Sequence, residues 1–378
     1  MTWFDAMVRN CLEYAQAAKA QGRPIVGILC EYTPRELILA AGGVPACLCG
    51  GTAETIPAAE SCLPSNLCPL IKSTFGYHVS RGCPFLEMAD LVVAETTCDG
   101  KKKMYELMAQ SRPMHILELP QKPDDEQAFQ HWRHELERLK SELERRFNVQ
   151  VTDAKLRDAI TVMNRERSLR RELAGLMRAE NPPLTGRELL RLKSTISAIP
   201  EFLAQLEKTL QALRAKTPAS ATATKVRVLL TGVPTPHGAE RVLDIIETNG
   251  GLVVCSENCT GVKPILEDVD AGAADPLLAI ATKYFHLPCS VMTPNERRLE
   301  SLRQLAKEYR PQCIIELIWQ ACLTYDVESY RVKQLAEALR LPYLRIETDY
   351  SPSDSARIAV RVQALFETVR GAKQEIRM

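Results

Sequence analysis

Thirteen cysteines stand in this 378-residue chain, at positions 11, 30, 47, 49, 62, 68, 83, 98, 255, 259, 289, 313 and 322. A thiol can close a disulfide, ligate a metal, do redox chemistry or fill a core as a small hydrophobe. A chain of this length needs no disulfides to fold, and an odd count fits a closed disulfide framework badly. The C-x-x-C pairs of zinc knuckles are absent; only Cys47-x-Cys49 and Cys255-x3-Cys259 come close, which argues against structural zinc. Dispersed single cysteines suit an iron–sulfur cluster whose irons each take a thiolate. Spacing alone is equally compatible with mostly buried, inert thiols.

Cys98 has the best local chemistry. It directly precedes a helix start, where free backbone N–H groups and the helix dipole favour a thiolate. The run Lys101-Lys102-Lys103 that follows is expected to be a solvated face, with a charge aid for an anionic ligand or partner as the alternative. In Cys68-Pro69 and Cys83-Pro84 the proline removes one competing backbone donor. Other catalytic patterns are missing. There is no G-x-G-x-x-G or Walker phosphate loop, no G-x-S-x-G elbow and no H-E-x-x-H pair. His131 and His134 read as surface residues. Glu257, Glu347 and Asp349 read as capping groups near a cleft, with acid–base roles open.

These thiols need elements to position them. Up to about Pro120, short apolar strands alternate with helices: strands at Pro24–Leu29, Asp90–Glu95 and Met114–Leu119, and helices at Pro34–Ala41 and Lys101–Met108. From Asp124 the period changes to three and four, with Phe129, Trp132, Leu136, Leu139, Leu143 and Phe147 on one helix face. A second helix follows Thr152, and Thr185-Gly186-Arg187-Glu188 has the form of a capping box. Pro200 is expected to break the helical pattern before Phe202 resumes it. Thr217–Thr224 (TPASATAT) reads as a linker. Beyond it, strands at Val226–Thr231, Gly251–Cys255, Cys313–Trp319 and Tyr343–Glu347 alternate with helices. The fold class is therefore α/β: an N-terminal domain over 1–123, a helical segment over 124–216 and a C-terminal α/β domain over 225–378. Two Rossmann-like parallel sheets are expected, separated by the helical insertion. Cys98, Cys259 and Cys322 each fall just past a strand, on the edge where open parallel sheets bind ligands. Facing edges would gather them into an interdomain cleft.

With 48 Lys plus Arg against 47 Asp plus Glu, no net field draws in nucleic acid or an anionic membrane. No apolar run is long enough to span a bilayer and no signal core is seen, so a cytoplasmic protein is expected.

Particular stretches carry a resemblance. Asn66-Leu67-Cys68-Pro69-Leu70-Ile71-Lys72, Cys83-Pro84-Phe85, and Glu95-Thr96-Thr97-Cys98-Asp99-Gly100-Lys101-Lys102-Lys103-Met104-Tyr105-Glu106 are similar to the D-component family of 2-hydroxyacyl-CoA dehydratases. That family includes benzoyl-CoA reductase subunits and double-cubane cluster proteins. Glu257-Asn258-Cys259-Thr260-Gly261, Pro288-Cys289-Ser290, Gln320-Ala321-Cys322 and Glu347-Thr348-Asp349-Tyr350-Ser351 agree, and the similarity runs from about Pro24 to Glu367. The resemblance implies one [4Fe–4S] cluster on Cys68, Cys98 and Cys322. In the double-cubane branch, Cys83, Cys259 and Cys289 join them, giving an [8Fe–9S] cluster on six cysteines. Cys30 and Cys49 are reserves; Cys11, Cys47, Cys62, Cys255 and Cys313 are expected to be ordinary thiols. The implied function is low-potential reduction of a small substrate, driven by a separate ATP-hydrolysing iron–sulfur activator, in a homodimer. Two alternatives stand: a subunit of a heterodimeric 2-hydroxyacyl-CoA dehydratase with one cluster, and a non-catalytic iron–sulfur or zinc protein.

Overall fold

The computed structural model describes residues 2–215 and 224–375. The N-terminal half runs α1 (Met7–Ala20), β1 (Ile25–Ile28), α2 (Arg35–Ala40), β2 (Val44–Cys47), α3 (Ile56–Ala59), α4 (Pro69–Ser80), α5 (Pro84–Met88), β3 (Leu91–Glu95), α6 (Asp99–Met108) and β4 (Met114–Leu117). A helical stretch follows: α7 (Glu126–Phe147), α8 (Asp153–Gly175), α9 (Gly186–Arg191) and α10 (Pro200–Ala215). The second half is β5 (Val226–Gly232), α11 (Arg241–Thr248), β6 (Gly251–Glu257), α12 (Pro276–Phe285), α13 (Glu296–Tyr309), β7 (Cys313–Trp319), α14 (Leu323–Ala338), β8 (Tyr343–Thr348) and α15 (Ser355–Glu375). Most of the expected linker, residues 217–223, lies outside the described residues.

Every strand pair is parallel. The first sheet has the order β2-β1-β3-β4 and the second β6-β5-β7-β8. The second order is the first with four added to each strand number, so the chain repeats one four-stranded frame. β1, β3 and β7 are buried along their whole length, because helices cover both faces of each sheet. β2 escaped the sequence reading: its four residues include Pro45, which cannot donate to a ladder and is tolerated here because the strand lies at the sheet edge. Pro200 begins α10 rather than breaking a helix, at the position where a missing N–H costs nothing. The capping box of α9 forms as expected, with the Glu188 N–H donating to the Thr185 hydroxyl at 3.1 Å and the Thr185 N–H to the Glu188 carboxylate at 2.7 Å.

The helical stretch has no separate core. Trp132, Leu136, Leu139 and Leu143 of α7 pack in one cluster with Val26, Ile28 and Val93 of the first sheet and with Ile280 and Phe285 of α12. At the same junction Arg167 of α8 pairs with Glu36 of α2 and donates to the Tyr284 hydroxyl of α12 at 3.1 Å. The helices thus join the two α/β halves. No helix among the described residues is long and apolar enough to cross a membrane.

Candidate functional site

The carboxyl edges of the two sheets meet, and the cysteines on the loops leaving them meet as well. Cys68, Cys98 and Cys322 each directly precede a helix, α4, α6 and α14 respectively. Backbone N–H groups of each first turn favour the thiolate: those of Ile71 and Leu70 at Cys68, that of Lys101 at Cys98 and that of Tyr325 at Cys322. Three helix N-termini therefore aim their positive ends at one group of thiols. Cys68 and Cys322 lie within electrostatic reach of each other, and their interaction favours the Cys68 thiolate and pushes the Cys322 thiol well up. Cys98 is within electrostatic reach of Cys322 and Cys289; burial raises its thiol, opposed by the Lys101 N–H and ammonium.

A second group forms beside the first. Cys30, two residues past β1, is within electrostatic reach of Cys259 and Cys289. Burial pushes the Cys259 thiol up to about 12, opposed by Lys263, and the Cys30 thiol well up, opposed by Lys101. Cys49 lies next to this group, its thiol raised to about 11 by burial, and donates to the Leu29 carbonyl at 3.6 Å.

Hydrogen bonds across the cleft hold these loops in register. Tyr32 after β1 donates to the Leu287 carbonyl before Cys289 at 3.0 Å. Lys193 bridges Glu31 at 3.3 Å and the Cys259 carbonyl at 3.2 Å. Tyr350 after β8 donates at 3.0 Å to the carbonyl of Gly50, beside Cys49. Gly50 itself lies so close to α4 that a Cβ there would stand 2.5 Å from the Thr74 nitrogen; only glycine lets this loop reach the helix that Cys68 caps.

Cys83 is not in either group. It caps α5, and its charged neighbours are Arg112 and Glu87, with no thiol among them. The reason is topological. The twelve residues of α4 carry the chain roughly 18 Å away from Cys68 before Cys83. α5 then leads into the amino end of β3, the edge opposite the cleft. The Cys-Pro pattern marks a helix start at Cys68 and at Cys83 alike and cannot say which end of the sheet that start occupies. The thiols expected to be ordinary include Cys11, Cys255 and Cys313, all buried in the apolar clusters, and Cys62, which is exposed. Cys47 accepts from Arg35 at 3.7 Å.

The polar surroundings were less legible. Lys102 and Lys103 are solvated, as expected, but Lys101 turns inward: its ammonium donates to the Leu29 carbonyl at 3.1 Å, among Cys30, Cys49 and Cys98. Its spacing of three from Cys98 was the available signal, since that puts both in one helical turn. Glu257 is no cap; it is fully buried and pairs with Lys263 at 3.0 Å and Arg298 at 3.4 Å, while Lys263 donates to the Tyr325 hydroxyl at 3.0 Å. Asp349 does accept from the Ser351 N–H at 2.8 Å, and the exposed Glu347 pairs with Arg345 at 3.0 Å. His131 and His134 lie at the surface. Burial pushes the Glu95 carboxyl up to about 7. Its Oε2, the Tyr105 hydroxyl and the Asn258 Nδ2 are buried without a hydrogen-bond partner among the described residues.

Among the described residues no three His, Cys, Asp or Glu side chains are close enough to hold one ion. A cluster asks for something different, a separate cysteine on each of several irons. The residues here fit that demand: soft thiol donors, none paired in a disulfide, helix ends facing them, and unmet polar atoms nearby.

The chain matches the family model described as 2-hydroxyglutaryl-CoA dehydratase, D-component, over residues 30–369. YjiM of Escherichia coli (strain K12), whose name assigns it to a dehydratase, is 39% identical over 360 residues, 92% of each chain. The beta subunit of (R)-2-hydroxyglutaryl-CoA dehydratase from Acidaminococcus fermentans is 25% identical over 372 residues, 93% of this chain and 94% of its own. A benzoyl-CoA reductase subunit of Thauera aromatica is 23% identical over 351 residues, 90% and 89% of the two chains. With a match that spans nearly the whole chain and takes in both halves of the cleft, this protein belongs to the 2-hydroxyglutaryl-CoA dehydratase D-component family.

Proposed function

We propose that the protein is a low-potential iron–sulfur reductase of the double-cubane kind, fed with electrons by an ATP-hydrolysing activator and reducing a small substrate. The observation that carries this reading is the gathering of two sets of three thiols on facing sheet edges. We assign Cys68, Cys98 and Cys322 to one cubane and Cys30, Cys259 and Cys289 to the other, with Cys30 taking the place that the family resemblance implies for Cys83. When bound, such a cluster supplies one-electron transfer. The chain's own part is to bury the thiolates, neutralise them with three helix N-termini and buried ammonium groups, and exclude water. ATP handling by a partner accords with the missing nucleotide loops. Free thiols throughout accord with a reducing cytoplasm. The expected assembly is a homodimer, which light scattering would report as twice the 42.2 kDa chain mass.

An anaerobic iron and sulfide count tests the reading: about eight irons per chain supports it, and about four or none overturns it. About four would favour the second reading, a subunit of a 2-hydroxyacyl-CoA dehydratase with one cluster, for which the name of the Acidaminococcus relative speaks. Cys289→Ala and Cys289→Ser sharpen the choice. Iron content or the spectrum should change in the alanine variant if two cubanes are held, and both variants should keep one unaltered cubane if the chain is a dehydratase subunit.

A further inference from the structure

Lys101 differs from its neighbours. The ammonium groups of Lys102 and Lys103 pair with Asp99 and Glu106 at the surface. The Lys101 ammonium has no carboxylate within 4.0 Å among the described residues. It is held by the Leu29 carbonyl at 3.1 Å, the same oxygen that accepts from the Cys49 thiol at 3.6 Å. The groups around it are Tyr105 and the thiols of Cys30, Cys49 and Cys98, with Glu95 at longer range. An ammonium partly withdrawn from water without a carboxylate partner carries a desolvation cost, unless negative charge is supplied where it points. Cys98 belongs to one set of thiols and Cys30 to the other, so Lys101 stands between the two.

We propose that Lys101 is a positioning residue for charge: its fixed ammonium stabilises the added electron on the cluster that Cys98 and Cys30 hold, and so raises the reduction potential. This rests on the iron–sulfur reading above. One electron arrives from a low-potential one-electron donor, the site becomes more negative by one charge, and Lys101 stays protonated throughout; no bond breaks and no proton moves.

The test is an anaerobic redox titration of the intact protein, with dithionite as reductant and electron paramagnetic resonance as readout, alongside iron counts. Lys101→Met removes the charge and the bond to Leu29, Lys101→Gln removes the charge but keeps a donor, Lys101→Arg keeps the charge, and Lys102→Met removes an exposed charge. The expected result is unchanged iron in all four, with midpoints of Lys101→Met and Lys101→Gln more negative by a tenfold or larger shift in the reduction equilibrium, about 59 mV for one electron. Lys101→Arg and Lys102→Met should stay near wild type. Should Lys101→Met fail to load iron, Lys101→Gln decides by the same criterion. A wild-type midpoint in a loaded charge-free variant overturns the proposal, as does loss of iron from both charge-free variants while Lys101→Arg loads. Wild-type protein that binds no iron would instead sink the iron–sulfur reading, a failure visible before any variant is made.

Discussion

Replacing Arg167 with methionine would remove the cation from a deeply buried tie between the halves. Its guanidinium is 3% exposed and the Glu36 carboxylate not at all. The pair stand 2.5 Å apart, Asn164 accepts from Arg167 at 2.8 Å, and the Tyr284 hydroxyl donates to the other Glu36 oxygen at 2.8 Å. Methionine preserves most of the stem's packing, so the principal loss is charge compensation. Breaking one side of a buried pair costs about 3–5 kcal/mol, because the remaining charge is stranded. Tyr284 still serves Glu36, which sets the expectation near the lower end, about 3 kcal/mol. The double variant Glu36→Gln with Arg167→Met leaves no stranded charge and keeps a polar group for Tyr284. It should lose only about 1 kcal/mol, giving a coupling of about 2 kcal/mol, within the range for contacting residues. Urea unfolding followed by fluorescence and circular dichroism measures both. A loss under about 1 kcal/mol in the single variant, or no recovery in the double, would refute the stranded-charge reasoning.

Other expectations follow from the site and its frame. Cys98→Ala should lose or destabilise the cluster while Cys11→Ala keeps it, as anaerobic iron counts will report; equal iron in both would mean the ligands are misassigned. Cys83→Ala should retain its iron and Cys30→Ala should not, and the reverse outcome would restore Cys83 to the ligand set. Burial would raise the Glu36 and Asp354 carboxyls, but Arg167 holds the first below 4.5, and Thr348 and Arg241 hold the second below 3.8. The unfolded chain therefore takes up protons first, and the stability these groups contribute, complete above about pH 4.5, drains away as the pH falls through their lower folded values. Melting temperatures unchanged between pH 5 and pH 3 would contradict this.

Much of this architecture was legible from strand–helix alternation, because buried parallel strands announce themselves as short apolar runs: seven of the eight strands were found, and Pro45 hid the other. The shift of period at Asp124 marked the helices, but not that their apolar faces would be shared by both halves. The loops that gather thiols were legible wherever a cysteine followed a recognised strand, as with Cys98, Cys259 and Cys322. They failed at Cys83, where a helix start was visible but the end of the sheet it served was not. Lys101 was hidden by its company: in a run of three lysines, only the helical phase relative to Cys98 tells which one turns inward.

The repeated four-stranded frame makes the chain an internal dimer. Cys98 lies three residues past β3 (95 to 98) and Cys322 three past β7 (319 to 322); Cys49 lies two past β2 (47 to 49) and Cys259 two past β6 (257 to 259). In an assembly of identical subunits, any change on one side of the axis is forced on the other. Fusing both copies into one polypeptide removes that constraint, and the two sides have parted. The residue three past Cys98 is Lys101, while the residue three past Cys322 is Tyr325, whose hydroxyl meets Lys263 instead. The repeat supplies matched thiols, and its divergence leaves a cleft whose two sides, alike in backbone, differ in the polar groups that face those thiols.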